Sequence, residues 1–226
     1  MVEIKKNKKS ILKSKKKKII IIISIITCSL SIGLGIYGYN YYKDYEYNIY
    51  SNAKTPIFEL PVEDVTIVTS IQTFYEEHGG IIHSGFDFEL QNNTIIYAPC
   101  DGTINSIGKN KMSNDYWLIG VFISFNVRWE TFIAFEPWTT DEIVINKQLE
   151  NISVTVGQKV NTGDVLGILN PVIGSEFPHI HWNVLEEDYL RTGPGTNKSP
   201  YDYCSEIAKA DLDYLCTKFG KPPSYL

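Results

Sequence analysis

Ile19 to Gly38, "IIIIISIITCSLSIGLGIYG", is a run of twenty residues without a charge, and it decides how the rest of the chain can be organised. As an α-helix rising about 1.5 Å per residue it spans about 30 Å, the thickness of a bilayer's hydrocarbon core. Such a helix can cross a membrane. Met1 to Lys18, directly before it, holds nine lysines against Glu3 alone. Lysines beside a span stay on the cytoplasmic side. The expected order is therefore a basic cytoplasmic tail over 1–18, a transmembrane anchor over 19–38, and everything from Tyr39 onward outside the cell. The expected location is the cell membrane, crossed once, with the C-terminal part extracellular.

A cleaved signal peptide competes with this reading. Against it, no small-x-small cleavage site is visible and the apolar run exceeds a usual signal-peptide core. The stretch Ile25-Ile26-Thr27-Cys28 also has the outline of a bacterial lipoprotein box, although Thr27 is a poor residue before a lipidated cysteine.

With 226 residues and 43% hydrophobic content, the chain has room for one sizeable core. Past the lysine tail, 12 basic residues face 25 acidic ones. A nucleic-acid binder needs a basic face on its folded part, so nucleic acid is excluded as a partner. Of the four cysteines, Cys28 lies in the anchor and Cys100, Cys204 and Cys216 lie beyond it. No Cys-x-x-Cys spacing supports a thiolate zinc site or thioredoxin-like chemistry. A Cys204–Cys216 bridge requires that "CSEIAKADLDYLC" not be one straight helix, because twelve helical residues separate the two by about 18 Å. Free thiols are the other reading.

Residues 39–58 mix Tyr, Asn, Asp and Lys without an apolar period and read as a stalk. From 59 to 200 the pattern is short strands and turns: "TIIYAP", "CDG", "TINSIG", "WLIGVFISFNVRW", "TFIAF", "ISVTV", "DVLGIL". Asp101-Gly102 is a hairpin signal, and Gly157 and Gly163 flank "QKVNT" in the same style. The expected fold is all-β and antiparallel. Residues 201–226 form a tail with the one helix expected outside the membrane, Ser205 as N-cap and Gly220 as stop.

"HSGFDF" at His83–Phe88 and "PHIHW" at Pro178–Trp182 hold three of the four histidines. On a strand, residues two apart share a face, so His179 and His181 project together while Ile180 turns to the core. His83 and Asp87 also share parity, but four extended residues separate them by about 13 Å. The chain must bend between them, and Gly85 supplies the freedom for that bend. Two histidines and a carboxylate, with a fourth position left for water, are a common zinc ligand set. Each half alone is more often a surface or packing feature; together, in a β-rich domain nearly free of other histidine, they point to a metal. His78 has no place in the motif and reads as a loop residue. The four tryptophans read as core or cleft wall.

At these residues the chain resembles the lysostaphin-type (LytM-like) zinc metallopeptidases, which are peptidoglycan endopeptidases. The likeness runs from about Phe74 to Tyr203 in the family's order: "HSGFDF", "IIYAPCDGTINSIG", a long hairpin, "VTVGQKVNTGDVLGIL" and "PHIHWNV". It implies a duplicated-hybrid-motif-like antiparallel sheet. It further implies zinc held by His83, Asp87 and His181, with His179 as the catalytic histidine; by geometry alone either histidine of the pair can ligate. A peptidoglycan peptide is the implied substrate, and an unidentified protein partner is the alternative.

The likeness is incomplete. The family's further active-site histidine stands in a Tyr-x-His-Leu segment, and in the matching "TFIAFEPW" the expected occupant of its place is Phe135, with Glu136 facing the other way. The alternative frame buries Phe135 and turns Glu136, Asp141 or Glu142 to the metal. Asn183 stands where the family often has glutamate. "PWTTDEIVINKQLEN" is longer than the family's connection and can reshape the cleft. Two functions follow: a membrane-anchored zinc endopeptidase acting on cell-wall peptides, or a catalytically degenerate metal-binding ectodomain that binds wall or protein. A third, a biotinyl or lipoyl carrier suggested by "VTVGQKVNTGDVLGIL", lacks the hairpin-tip lysine.

Overall fold

The uncharged run is helical, and the helix continues past its end. In the computed structural model α1 spans Val2–Ser51, so the segment read as a stalk is helical for most of its length. No proline interrupts it before Pro56. Neighbours one turn apart support it: Tyr42 pairs with Glu46, and the Lys43 ammonium sits 5.0 Å over the Tyr39 ring. By length and composition, Ile23–Ser51 can cross a membrane. Its apolar side chains are exposed, Leu30 by 61% and Leu34 by 70%, which in water would be unfavourable.

The structure describes residues 2–78, 81–91, 93–112, 114–170, 178–188 and 195–222, with side chains from residue 23 onward apart from His78 and Ile81. The side chains of the lysine tail and the ring of His78 thus lie outside the described residues, although the His78 backbone is in a short strand rather than a loop. Two units separate, Met1–Asn52 and Ala53–Leu226.

The second unit is built of strands β1 (Val68–Gln72), β2 (Glu77–His78), β3 (Ile81–Ile82), β4 (Phe86–Leu90), β5 (Ile95–Tyr97), β6 (Gly102–Lys111), β7 (Trp117–Ser124) and β8 (Trp129–Thr139). Helix α2 (Glu142–Glu150) follows, then β9 (Lys159–Val160), β10 (Val165–Ile168), β11 (His179–Glu186), β12 (Thr196–Lys198) and helix α3 (Glu206–Phe219). The main sheet has the order β1-β4-β11-β8-β7-β6-β9, with β12 added beside β11. Every pairing in it is antiparallel.

The expected hairpin across Asp101-Gly102 does not form. β5 pairs instead with β10, and β6 pairs with β7 and β9. Gly102 is needed for close approach, since a Cβ there would lie 2.6 Å from Ile123 and 2.9 Å from the Ser124 carbonyl. The turns at Gly157 and Gly163 are present: each glycine has a φ near +85°, at 85° and 86°, as the third residue of a turn closed by Gln158 N–H to Thr155 and Asp164 N–H to Asn161.

One face of the sheet is the core. Phe86 and Phe88 on β4, Ile180 and Trp182 on β11, and Ile133 and Phe135 on β8 are fully buried. Phe58 meets Trp182 edge-on at 6.1 Å, and α3 packs Ala208, Leu212 and Leu215 into the same cluster. Ser205 caps α3 by accepting from Ala208 N–H, and Gly220 ends it at φ 64°. Helix α2, unexpected from the sequence, fills the long connection. Asp141 caps it, while buried Gln148 donates to Ile168 O at 2.9 Å and accepts from Asn170 N–H at 2.6 Å. Only Ile145 of its apolar residues is fully buried, so its apolar stripe is too narrow to read as a helical period. The three cysteines of this unit are buried and free, and burial pushes their thiols up to about 12 at Cys100 and Cys204 and about 11 at Cys216.

Candidate metal centre

The other face of the sheet carries the polar residues, and strand register brings them together. Residues paired across an antiparallel ladder share a face. In one row Gln72, Asp87, His181 and Ala134 follow one another across β1, β4, β11 and β8. In the next row stand Glu89, His179 and Glu136. His83, just ahead of β4, folds back over the first row.

Its Nε2 lies 3.0 Å from Asp87 Oδ1 and 3.0 Å from His181 Nδ1, and His181 Nδ1 lies 2.8 Å from Asp87 Oδ1. These three ligand atoms all fall within 4.8 Å of one another. His83 Nδ1 is 3.0 Å from the Thr73 carbonyl, which can only accept, so Nδ1 carries the proton and Nε2 offers its lone pair. Three lone-pair atoms thus converge on one point from two imidazoles and a carboxylate. That donor set fits a divalent metal of the zinc type.

Electrostatics agree with the geometry. Burial alone would push the Asp87 carboxyl up, but the imidazoles of His181 and His83 beside it and the nearby His179 hold it far below the ordinary carboxylate range. Burial lowers the His83 imidazole, and Asp87 together with the Thr73 carbonyl more than offsets this and raises it.

Gly85 contributes differently from expectation. A Cβ on it would sit 2.3 Å from the Trp182 carbonyl and 2.9 Å from the His181 ring, so its role is close approach of the loop to β11. Any side chain there would displace the Trp182 backbone or the His181 ring.

His179, 7% exposed, stands beside this cluster. Its Nε2 is 4.0 Å from Asp87 Oδ2 and 3.2 Å from Glu136 Oε2. A cleft of about 300 Å³ opens here, lined by Gln72, Asp87, Glu89, Trp138 and His179. Trp138 owes its place to a bulge: Glu136 to Trp138 stand opposite Leu118 alone, and Trp138 takes φ 55°. Its ring stacks on Tyr116 at 4.5 Å and reaches within 5.4 Å of the His179 ring.

Several solved structures to which this chain is similar are peptidases. Over 62% of its length, at 17% identity and a TM-score of 0.43, it is similar to the catalytic domain of lysostaphin from Staphylococcus simulans, of which it covers 93%. Over 63%, at 22% identity and a TM-score of 0.43, it is similar to a zinc-containing peptidase from Vibrio cholerae, of which it covers 39%. Over 65%, at 22% identity and a TM-score of 0.42, it is similar to a Pseudomonas aeruginosa protein assigned to the M23 peptidases, of which it covers 49%, about half. No family model matches the sequence, and no curated protein does.

One sequence expectation is overturned. Phe135 is fully buried on the core face, paired with Ile180, and does not line the cleft. Its neighbours on β8, Ala134 and Glu136, face the site instead. In this frame Ala134, rather than Phe135, is the residue of "TFIAF" that stands in the row of His181 and Asp87. The reason the frame is hidden in the sequence is that Phe132 to Phe135 are all apolar, so alternation marks neither face. Glu136 was the one signal available, as a charge that a core face would not accept. Asp141 and Glu142 do not reach the cluster; Asp141 caps α2, and Glu142 pairs with Lys109 at 2.8 Å.

Proposed function

We propose that the chain is a membrane-anchored zinc metalloendopeptidase that hydrolyses peptide bonds of cell-wall peptidoglycan. The observation that carries this reading is the convergence of His83 Nε2, Asp87 Oδ1 and His181 Nδ1 next to an open cleft that Asp87 and His179 line. His83, Asp87 and His181 would hold the metal. A zinc ion bound there supplies a Lewis acid for the scissile carbonyl and a water of lowered pKa.

The chain's own part in the reaction is placement and proton handling. Net hydrolysis forms a carbon–oxygen bond from water to the carbonyl carbon and breaks the carbon–nitrogen bond, with one water proton ending on the leaving amine. His179 is the imidazole on the cleft wall within reach of that traffic. Trp138 and Glu89 border the space where the substrate chain would lie. The lysine tail, the apolar helix and the positive-inside rule support an orientation with the sheet domain outside the cell. Protease added to wall-stripped cells should then remove the domain.

Ala134 favours a second reading, a metal-binding ectodomain that recognises wall or protein without cutting it, because a methyl group moves no proton. Metal analysis of the detergent-purified chain, followed by peptidoglycan digestion, separates the two. The expected result is stoichiometric zinc and released peptides, with His179→Ala keeping the zinc and losing the release. Zinc with wall binding but no release would establish the second reading, and a chain that takes up no zinc would end both.

A further inference from the structure

Two of the three converging ligands, Asp87 and His181, face each other across paired strands in the middle of the main sheet. His83 lacks that support. It follows the hairpin β2–β3, which forms a two-stranded sheet of its own. The seat of this hairpin therefore places the third ligand. That seat is the turn Thr73 to Glu76, closed by Glu76 N–H to the Thr73 carbonyl at 3.1 Å. Two backbone bonds join the turn to His83, Tyr75 N–H to the His83 carbonyl and His83 N–H to the Glu76 carbonyl, both 2.9 Å, and the Thr73 carbonyl meets the His83 ring. Tyr75 takes φ 66° there, a left-handed conformation that a residue other than glycine keeps only where its surroundings hold it.

The Glu76 carboxylate supplies the hold. One oxygen accepts from Thr73 N–H at 3.0 Å, and the other pairs with the Lys221 ammonium. Lys221 is aimed by the end of α3, where Gly220 turns the chain at φ 64° and Lys221 N–H closes on the Cys216 carbonyl at 2.9 Å. Buried Leu212, Leu215 and Cys216 fix that helix in the core. We propose that Glu76 is a positioning residue for the metal centre: latched by Lys221 at the end of α3, its carboxylate fixes the Thr73–Glu76 turn and through it the place of His83 opposite Asp87 and His181. This rests on the reading of those three residues as a metal site. The C-terminal helix thereby contributes to metal affinity without touching the metal.

The test uses the full-length chain in detergent and two readouts: zinc affinity by competition with a chromophoric chelator, and backbone amide exchange over residues 73–83 of the zinc-free protein by mass spectrometry. Glu76→Ala should weaken zinc binding roughly 10-fold, the lower end of what outer partners of a ligand are worth, and should speed exchange over 73–83 alone. Glu76→Gln and Lys221→Met each remove the ion pair but keep an oxygen on Thr73 N–H, so they should agree with each other at roughly 3-fold. Lys221→Arg keeps a cation and should hold the parent's affinity.

Adding Lys221→Met to Glu76→Ala should change nothing further. A Lys221→Met effect that persists in that background would mean that Lys221 acts on the cleft directly, through nearby Glu89, and would overturn the latch. Lys218→Met removes another tie of α3, to the Val68 carbonyl at 3.2 Å, and should leave zinc affinity unchanged. A loss as large as that of Lys221→Met would mean general loosening of the helix and would also overturn it. In a chain that binds zinc, unchanged affinity in Glu76→Ala overturns the proposal whatever the exchange shows. A chain that binds no zinc, yet exchanges faster over 73–83 in Glu76→Ala, would sustain the hold on the turn and remove the metal reading; unchanged exchange there would remove both. If Glu76→Ala fails to fold, Lys221→Met decides on the same two readouts.

Discussion

The two ends of strand β11 carry the same kinds of charge and resolve them in opposite ways. At its end, Glu186 accepts from Arg128 Nε at 2.8 Å and lies 3.0 Å from the Lys198 ammonium. Burial raises its carboxyl, but the two cations prevail and hold it below the usual glutamate range. Near the start, on β4 opposite His181 and so roughly 17 Å away along extended strand, Asp87 is surrounded by imidazoles, and among the described residues no lysine or arginine pairs with it. The Glu186 cluster is complete within the chain. The Asp87 cluster gathers lone pairs and needs positive charge from protons or a metal. A carboxylate with its own cations is satisfied within the chain, whereas one set among imidazole lone pairs is a candidate for binding a cation.

The sharpest way to break this contrast is Asp87→Ala. It removes the oxygen that both His83 and His181 approach, and should abolish zinc binding and hydrolysis while the domain stays folded; metal analysis and far-UV circular dichroism check it. Retained zinc would show that the cluster is not the metal centre.

Next in size is His179→Ala, expected to keep the metal and to lose about 10²- to 10⁴-fold in kcat, the range of an acid–base group. If that variant loses zinc as Asp87→Ala does, the division between ligand and catalytic histidine is wrong.

Phe135→Ala probes the opposite face of the same strand pair. A fully buried ring should cost about 3–5 kcal/mol of stability, seen as a lowered midpoint in denaturant, with zinc affinity of the folded fraction unaltered. Phe135→His should likewise destabilise and should restore no activity, since position 135 points away from the cleft.

The smallest effect is at the far end. Glu186→Gln should cost about 1 kcal/mol or less, because the pair is partly exposed. A carboxylate whose folded pKa is depressed adds stability that is present above its unfolded pKa and lost as pH falls through the folded one. The difference between parent and Glu186→Gln should therefore be full at neutral pH and vanish in acid below the usual glutamate range. No such dependence would mean that the Arg128–Glu186–Lys198 contacts contribute nothing.

Much of the local arrangement is legible in the sequence. The spacing of His179 and His181 puts both on one face whatever the tertiary fold, and Ile180 between them is buried as that parity requires. The caps of α3 at Ser205 and Gly220 follow from local chemistry and are where they should be. The Asp101-Gly102 turn was visible, but its strands' partners were not, because a turn signal says that the chain reverses and not which strand receives it. Helix α2 escaped because its stability comes from Ile145 and Gln148 docking on the domain, with little apolar period of its own.

What the sequence alone determined are features carried by neighbours along the chain: the apolar helix, the pairing of His179 with His181, the helix caps and the glycine turns. What only the tertiary structure decided is which side of β8 faces the site. Local alternation is silent over Phe132 to Phe135, and the choice falls to long-range register with β11, where Phe135 opposite Ile180 joins the core and Glu136 opposite His179 joins the cleft. Burying an aromatic ring there stabilises by about 1.5–3 kcal/mol, whereas slipping one residue would bury the Glu136 charge against apolar side chains, so core packing fixes the frame and the polar face follows from it.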